Sequence, residues 1–159
     1  MTGFRKLVLE GKFSEAYEIA VDMKRKEICE DLVAISYEAQ NMLAYGFATY
    51  ALLREENIRW HSIVVYILGA SYVCLEGEEL AYCHVKRMIE LNPNSFEALS
   101  TMMFLASSPD TSGTQDDFNW VKERIAELYP NDSILKVEHG EGMKLEDVKK
   151  SKMAEFDND

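Results

Sequence analysis

The amino-acid sequence predicts an all-α protein built from about four antiparallel helical hairpins. Apolar residues recur at spacings of three and four along most of the 159 residues, and no long stretch alternates as a half-buried strand would. Only 8 Gly and 3 Pro interrupt this pattern. The connections between the apolar segments are short, and short loops force consecutive helices to run antiparallel and in contact.

The predicted helices follow one another in pairs along the chain. Their expected bounds are Thr2–Glu10, Phe13–Lys26, Cys29–Gln40, Met42–Glu55, Ile58–Leu75, Glu78–Leu91, Ser95–Ala106 and Asp116–Leu128. The longest connection, residues 107–117, contains Pro109 and Gly113, which prevent a helix there. Thr114, with Asp117 three residues later, has the pattern of a capping box that begins the last helix.

A repeated motif indicates that the hairpins share one design. Leu-Glu-Gly occurs at residues 9–11 and again at residues 75–77, each time followed by an alanine. Around the second copy, a Leu-Gly pair, an aromatic residue, an alanine and a proline stand at Leu68-Gly69, Tyr72, Ala81 and Pro93. These intervals are those of the tetratricopeptide repeat. The chain therefore resembles tetratricopeptide repeat proteins over residues 2–132, closely in the third hairpin and loosely in the others.

Two residues of this motif have an expected physical role. Gly69 is expected to let the first helix of its hairpin approach a neighbouring helix closely. Pro93 is expected to end the second helix, because proline has no backbone N–H to donate. The spacing is thus explained by helix packing, without any catalysis.

The resemblance implies a right-handed α-solenoid in which the hairpins stack side by side. Residues 1–137 would form this tetratricopeptide-like repeat domain, ending in a short C-terminal helix or turn that caps the last hairpin. Residues 138–159 lie outside the resemblance and are expected to form an acidic, polar tail that is weakly helical or disordered. In this family the first helices of the hairpins line a concave face that holds an extended peptide or a partner's helix.

The groove positions of the family fall mainly on apolar and aromatic residues of this chain. The predicted partner-binding groove consists of Val33, Tyr37, Ile63, Tyr66, Ala70, Val73 and Phe104. Family members that bind a free C-terminal carboxylate use Lys, Arg and Asn, which the third hairpin lacks at these positions, so an apolar segment is the expected ligand. A competing interpretation places the same residues in the core, under the cap or in a homodimer contact.

The charge of the chain limits its partners. There are 28 acidic against 17 basic residues, a net charge of −11, which repels phosphate backbones and anionic membranes. We therefore expect no nucleic acid and no membrane among the partners. The longest apolar stretch, residues 60–75, is shorter than the roughly 20 residues that a bilayer-spanning helix needs. Three cysteines without CxxC spacing, and no readable signal peptide, predict a cytoplasmic location.

Neither an enzyme nor a cofactor is expected. His61, His84 and His139 do not stand at metal-ligand spacings, and the motifs that bind nucleotide phosphates or carry a hydrolase serine are missing. The sequence predicts instead a non-enzymatic protein–protein interaction module, adaptor or chaperone-like, that binds an apolar peptide or helix of a partner in its concave groove. The alternative is an acidic immunity or antitoxin-type protein that neutralises a basic toxin through its charged surface.

Overall fold

The computed structural model describes residues 2–39, 42–70, 77–107 and 113–142, apart from the side chains of Ala39 and Ala70, and these residues form helices and turns only. This confirms the predicted all-α class. The helices are α1 Gly3–Leu9, α2 Phe13–Ala20, α3 Arg25–Ala39, α4 Leu43–Arg54, α5 Ile58–Ala70, α6 Gly77–Leu91, α7 Phe96–Ala106 and α8 Gln115–Leu128, followed by a 3₁₀ helix, Ser133–Lys136.

The predicted bounds of α2 and α3 were wrong, although those of the other helices lie within a few residues of the prediction. The predicted helix Phe13–Lys26 ends at Ala20, and the next begins at Arg25 rather than at Cys29. The prediction for α5 holds as far as Ala70, and residues 71–75 lie outside the described ranges.

A side chain from a distant helix explains the early end of α2. The guanidinium of Arg59, in α5, donates hydrogen bonds to the backbone oxygens of Ala20 (3.3 Å) and Val21 (3.4 Å). These carbonyls lie at the C-terminus of α2, where the backbone N–H of Met23 also donates to the oxygen of Ala20 (3.2 Å). The carboxylate of Glu27 accepts from the backbone N–H of Lys24 (3.3 Å), which begins α3 early.

The described residues form two compact units, unit 1 (residues 2–81) and unit 2 (residues 82–142), and the boundary falls within α6. In unit 1, α1 packs against α2, α3 against α4, and α4 against α5. In addition, α1 contacts α3, α3 contacts α5, and α2 contacts α4. In unit 2, α7 packs against α8, and α8 against the 3₁₀ helix.

The core of unit 1 is an aromatic cluster around Phe47. The ring of Phe47 lies edge to face against Phe4 (5.1 Å between centroids), Phe13 (6.0 Å) and Trp60 (6.1 Å), and Tyr17 contacts Trp60 at 5.8 Å. Such geometries bring the positive ring edge to the negative ring face. The cluster therefore joins α1, α2, α4 and α5 through one shared core.

Small residues line the contact between α2 and α4. The alanines without exposed surface on these two helices are Ala16, Ala20, Ala44, Ala48 and Ala51. Small side chains let helix backbones approach closely, which fits the contact between these helices.

The C-terminal end of unit 2 is covered by the short segment after α8. Ile134 of the 3₁₀ helix has no exposed surface and Val137 has 4 %. The first residues of the predicted tail stay on unit 2: the backbone N–H of Gly140 donates to the oxygen of Ser107 (2.8 Å), and the ring of His139 contacts that of Phe118 (5.5 Å). The residues beyond 142 lie outside the described ranges.

Gly69 differs from its expected role, and Gly113 has a packing role that the sequence did not predict. Gly69 is exposed, and none of the described residues has an atom within 4 Å of the position that a Cβ would take, so the expected close approach is not found there. At Gly113 a Cβ would lie 2.6 Å from the Cα of Ala106, which leaves no room for a side chain. Within the described ranges, no helix has both the length and the apolar character needed to cross a membrane.

Candidate protein-binding surface

The predicted groove residues of unit 1 lie on two helices that contact each other, α3 and α5. The guanidinium of Arg25 donates to the hydroxyl of Ser62 (3.3 Å), which fixes the first turn of α3 beside the second turn of α5. The exposed tyrosine of each helix lies beyond this contact in the sequence, Tyr37 on α3 and Tyr66 on α5.

Two large aromatic side chains are exposed on these helices. Tyr37 is 61 % and Tyr66 51 % exposed, while Val33 is half-buried. We call Val33, Tyr37 and Tyr66 the α3–α5 face. Tyrosine is enriched at protein interfaces because it combines a large apolar ring with a polar end. The α3–α5 face therefore has the chemistry of a binding surface.

The other predicted groove residues have different positions. Ile63 has no exposed surface and packs in the core of unit 1, so in this structure it offers nothing to a partner. Phe104 is half exposed and belongs to α7 in unit 2. Val73 lies outside the described residues, and for Ala70 only the backbone, at the end of α5, is described.

Unit 1 also contains a groove that the sequence analysis did not identify. Its volume is about 410 Å³, and it is lined by Thr2, Gly3, Phe4, Ile19, Met23, Glu27, Glu30 and Asp31. Glu27, Glu30 and Asp31 stand at the i, i+3, i+4 spacing that places side chains on one side of a helix. This spacing was the available signal, but the predicted start of α3 at Cys29 left Glu27 outside the helix.

A hydrogen-bond network at the start of α8 perturbs the pKa values of Tyr82 and Asp117. Asp117 accepts from the hydroxyl of Tyr82 (2.7 Å) and from the backbone N–H and the hydroxyl of Thr114 (2.9 and 2.6 Å). Burial, and then the bond to Asp117, raises the pKa of Tyr82 to about 12. Burial raises the pKa of Asp117, but the bonds from Thr114 and Tyr82 outweigh it and hold that pKa below its ordinary value.

This network is structural. Thr114 and Asp117 form the capping box that the sequence predicted, and Tyr82 ties it to α6. A raised tyrosine pKa next to a lowered carboxyl pKa means that both groups keep their ordinary protonation states at neutral pH, which suits a hydrogen bond rather than proton transfer. In the residues that the structure describes, no group of three or more His, Cys, Asp and Glu side chains could hold a metal ion.

Comparison with protein-family models, with curated proteins and with solved structures found no match to this chain. The resemblance to tetratricopeptide repeat proteins therefore stays a prediction, based on the intervals around Gly69 and Pro93.

Proposed function

We propose that this chain is a non-enzymatic protein-interaction module, acting as an adaptor or chaperone, that binds an apolar peptide or helix of a partner on the α3–α5 face. The observation that carries the proposal is the exposure of Tyr37 and Tyr66 on two contacting helices. Aromatic residues of this kind dominate binding energy at interfaces, whereas isolated exposed aliphatic residues need no explanation.

The order of helix contacts supports a tetratricopeptide-like array. The first helices of the predicted hairpins contact in succession, α1 with α3 and α3 with α5, and the second helices α2 and α4 contact each other. Stacked hairpins make this set of contacts, because each repeat packs on its neighbours. We propose that the hairpins form a right-handed α-solenoid whose first helices present the α3–α5 face.

The composition of the face indicates the kind of ligand. Val33 and the two tyrosine rings offer apolar contact to a bound segment. None of these three residues is charged. The expected ligand is therefore an extended or helical segment with apolar anchor residues. A cytoplasmic site of action fits Cys29 and Cys83, which form no disulfide among the described residues, because thiols stay reduced in that compartment.

The test is a pair of double variants. The full chain, used as bait in its source cells, yields candidate partners, and each is then titrated as a purified protein. In the double variant Tyr37→Ala/Tyr66→Ala the affinity should fall by about 2 kcal/mol or more. The control Leu53→Ala/Trp120→Ala removes exposed apolar groups from α4 and α8 and should leave the affinity unchanged.

Circular dichroism decides between the possible failures. Unchanged affinity with intact helicity in the tyrosine variant rejects the α3–α5 face. Lost helicity assigns Tyr37 and Tyr66 to packing instead.

A second candidate function is favoured by the charge of the chain. The net charge of −11, and the carboxylates of Glu27, Glu30 and Asp31 along one groove, suit an immunity or antitoxin-type protein that neutralises a basic toxin. Such a complex would depend on salt, whereas an apolar complex would not.

A further inference from the structure

The groove of unit 1 between α1, the end of α2 and the start of α3 combines an apolar wall with an acidic rim. We call it the acidic groove. On the apolar side, Ile19 is 41 % exposed, Met23 is half-buried, and the buried ring of Phe4 lies beneath. On the other side stand Glu27, Glu30 and Asp31 of α3. The volume of about 410 Å³ lies within the range of pockets that hold ligands, about 300–1,000 Å³.

The carboxylates of the rim are not neutralised within the part of the chain that the structure describes. None of the residues that line the groove is basic, and none of the ion pairs among the described residues includes these three carboxylates. Glu27 accepts a hydrogen bond from the backbone N–H of Lys24, and Asp31 from the hydroxyl of Thr2 (2.7 Å). Both donors are neutral groups, so the carboxylates of the rim are available for ion pairs with a ligand.

Three cations, Lys24, Arg25 and Lys26, precede the rim in the sequence, but none of the ion pairs among the described residues joins them to its carboxylates. The guanidinium of Arg25 donates to the hydroxyl of Ser62 in α5. Like charges three or four residues apart on a helix repel each other, so a cationic ligand would relieve repulsion along α3.

We propose that the acidic groove binds a segment of a partner protein in which one large apolar side chain is flanked by Lys or Arg. The apolar side chain would pack against Ile19 and Met23, and the flanking cations would pair with the rim. The long aliphatic stems of Lys and Arg suit this arrangement, because they lie along apolar surface while the charge stays at the edge. The acidic groove shares no residue with the α3–α5 face, so the proposal does not depend on the binding of an apolar partner there, but it uses the same carboxylates as the second candidate function.

Charge decides between the candidate ligands. An anionic ligand would be repelled by three carboxylates, and a neutral apolar segment would remove water from them without compensation. A basic apolar segment satisfies both sides of the groove. The partner is therefore identified by its chemistry as a basic, partly apolar protein segment.

The experiment uses the full chain and a fluorescein-labelled peptide, Lys-Arg-Leu-Lys-Arg, with binding followed by fluorescence anisotropy. Two control peptides replace the cations by Glu or the Leu by Ser, and both should bind much more weakly. The variant Glu27→Gln/Glu30→Gln/Asp31→Asn should lose about tenfold in affinity, because each partly exposed ion pair contributes a modest share. Its matched control, Glu79→Gln/Glu123→Gln/Asp116→Asn, changes the net charge equally and should bind within about twofold of the unmodified chain.

Single substitutions keep the test independent of folding. Glu30 is exposed and its side chain makes no hydrogen bond among the described residues, so Glu30→Lys should fold normally and still lose about tenfold in affinity. Ile19→Ser should weaken the Leu peptide and leave the Ser peptide unaffected.

Several outcomes would overturn the proposal. The proposal would be wrong if the unmodified chain did not bind the peptide, or if the triple variant of the groove and its matched control lost equal affinity. It would also be wrong if Glu30→Lys bound the peptide as tightly as the unmodified chain does. Increased peptide affinity after Lys149→Gln/Lys150→Gln/Lys152→Gln would make the chain's own C-terminal segment the occupant. If sedimentation showed that the unmodified chain forms a dimer and that Glu30→Lys abolishes it, the occupant of the groove would be a second copy of the chain.

Discussion

Gly113 occupies a position that no other residue can fill without movement of the backbone. An added Cβ would lie 2.6 Å from the Cα and 2.7 Å from the Cβ of Ala106, closer than real Cβ contacts. Both neighbours are fixed groups of α7 rather than the end of a flexible side chain. We expect Gly113→Ala to lower the free energy of unfolding by about 1–3 kcal/mol, as overpacked sites do, in a denaturant titration.

Gly46→Ala is the matched control for this prediction. Gly46 lies inside α4, and a Cβ there would meet the ring of Phe13 at 3.5 Å, an ordinary contact. Because alanine favours a helix over glycine, this variant should be as stable as the unmodified chain or more stable, by up to about 1 kcal/mol. Equal effects of the two substitutions would contradict the role of Gly113 in close packing.

The ionisation of Asp117 is expected to make the free energy of unfolding depend on pH. Its pKa is held below the ordinary value in the folded chain, so the folded state favours the ionised form. The resulting stability is complete above the unfolded pKa of about 3.9 and is lost as the pH falls through the lower, folded value. At neutral pH, Asp117→Asn should lower the free energy of unfolding by about 1–2 kcal/mol, the usual effect of losing a helix cap.

The pH series for this variant has a built-in comparison. As the pH falls through the lowered folded pKa of Asp117, the difference between Asp117→Asn and the unmodified chain should shrink, because the carboxyl then becomes protonated in both states. Asp116→Asn, one residue earlier and without a hydrogen bond among the described residues, should show a smaller difference at neutral pH. A difference for Asp117→Asn that stays constant with pH would rule out the charge as its cause.

At the scale of the helices, the junction between α2 and α3 depends on Arg59. Its guanidinium supplies donors to the carbonyls of Ala20 and Val21 and lies over the ring of Trp60, 5.5 Å from the centroid. Arg59→Ala removes these donors, and with them the part-buried hydrogen bonds to the backbone oxygens of Ala20 and Met23. We expect the free energy of unfolding to fall by about 1–3 kcal/mol, with faster amide hydrogen exchange at the end of α2.

Arg54→Ala serves as the control for this prediction. Arg54 is exposed at the end of α4, and its guanidinium lies over the ring of Tyr17 at 5.7 Å. Losing an exposed contact of this kind costs about 0.5–1 kcal/mol, without a local change in exchange at α2. If both arginine variants lost the same stability, the carbonyl contacts of Arg59 would be unimportant.

Helix ends were predictable where the signal is local. Thr114 and Asp117 begin α8 through side chains three residues apart, and Pro93 follows the end of α6 at Leu91. The end of α2 was mispredicted because its donor, Arg59, is nearly forty residues away along the chain. A periodic pattern contains no information on such a contact.

The residues of the candidate site, like the helix ends, were predictable only in part. The helical period correctly placed Ile63 and Tyr66 in one helix, but it could not tell which of them a neighbouring helix covers. Ile63 is fully buried and Tyr66 half exposed, because α5 packs against both α3 and α4. The acidic groove was missed for a related reason, since it needs side chains from α1, α2 and α3 together.

At the scale of the whole molecule, the net charge of −11 makes salt a diagnostic variable. The Debye length falls from about 10 Å at 0.1 M to about 3 Å at 1 M salt. Binding of an apolar partner to the α3–α5 face should change little over this range, because apolar burial is not screened. Binding of Lys-Arg-Leu-Lys-Arg to the acidic groove should weaken steadily.

Isothermal titration calorimetry at four or more salt concentrations measures how each of the two affinities depends on salt. The toxin-neutralising alternative would be favoured over the apolar one by a cellular partner whose affinity falls steeply as salt is added. The affinity of that partner should also be the same for Tyr37→Ala/Tyr66→Ala as for the unmodified chain.

The sequence alone determined the helical class, most helix boundaries, the capping box of α8 and the excess of negative charge, because each depends on residues close together in the chain or on composition. Only the tertiary structure decided where α2 ends, why Gly113 must be glycine, which groove residues are exposed and where the acidic groove lies. Each of these depends on atoms from different helices meeting in space, and hydrophobic periodicity specifies how side chains are spaced around a helix but not what each of them meets.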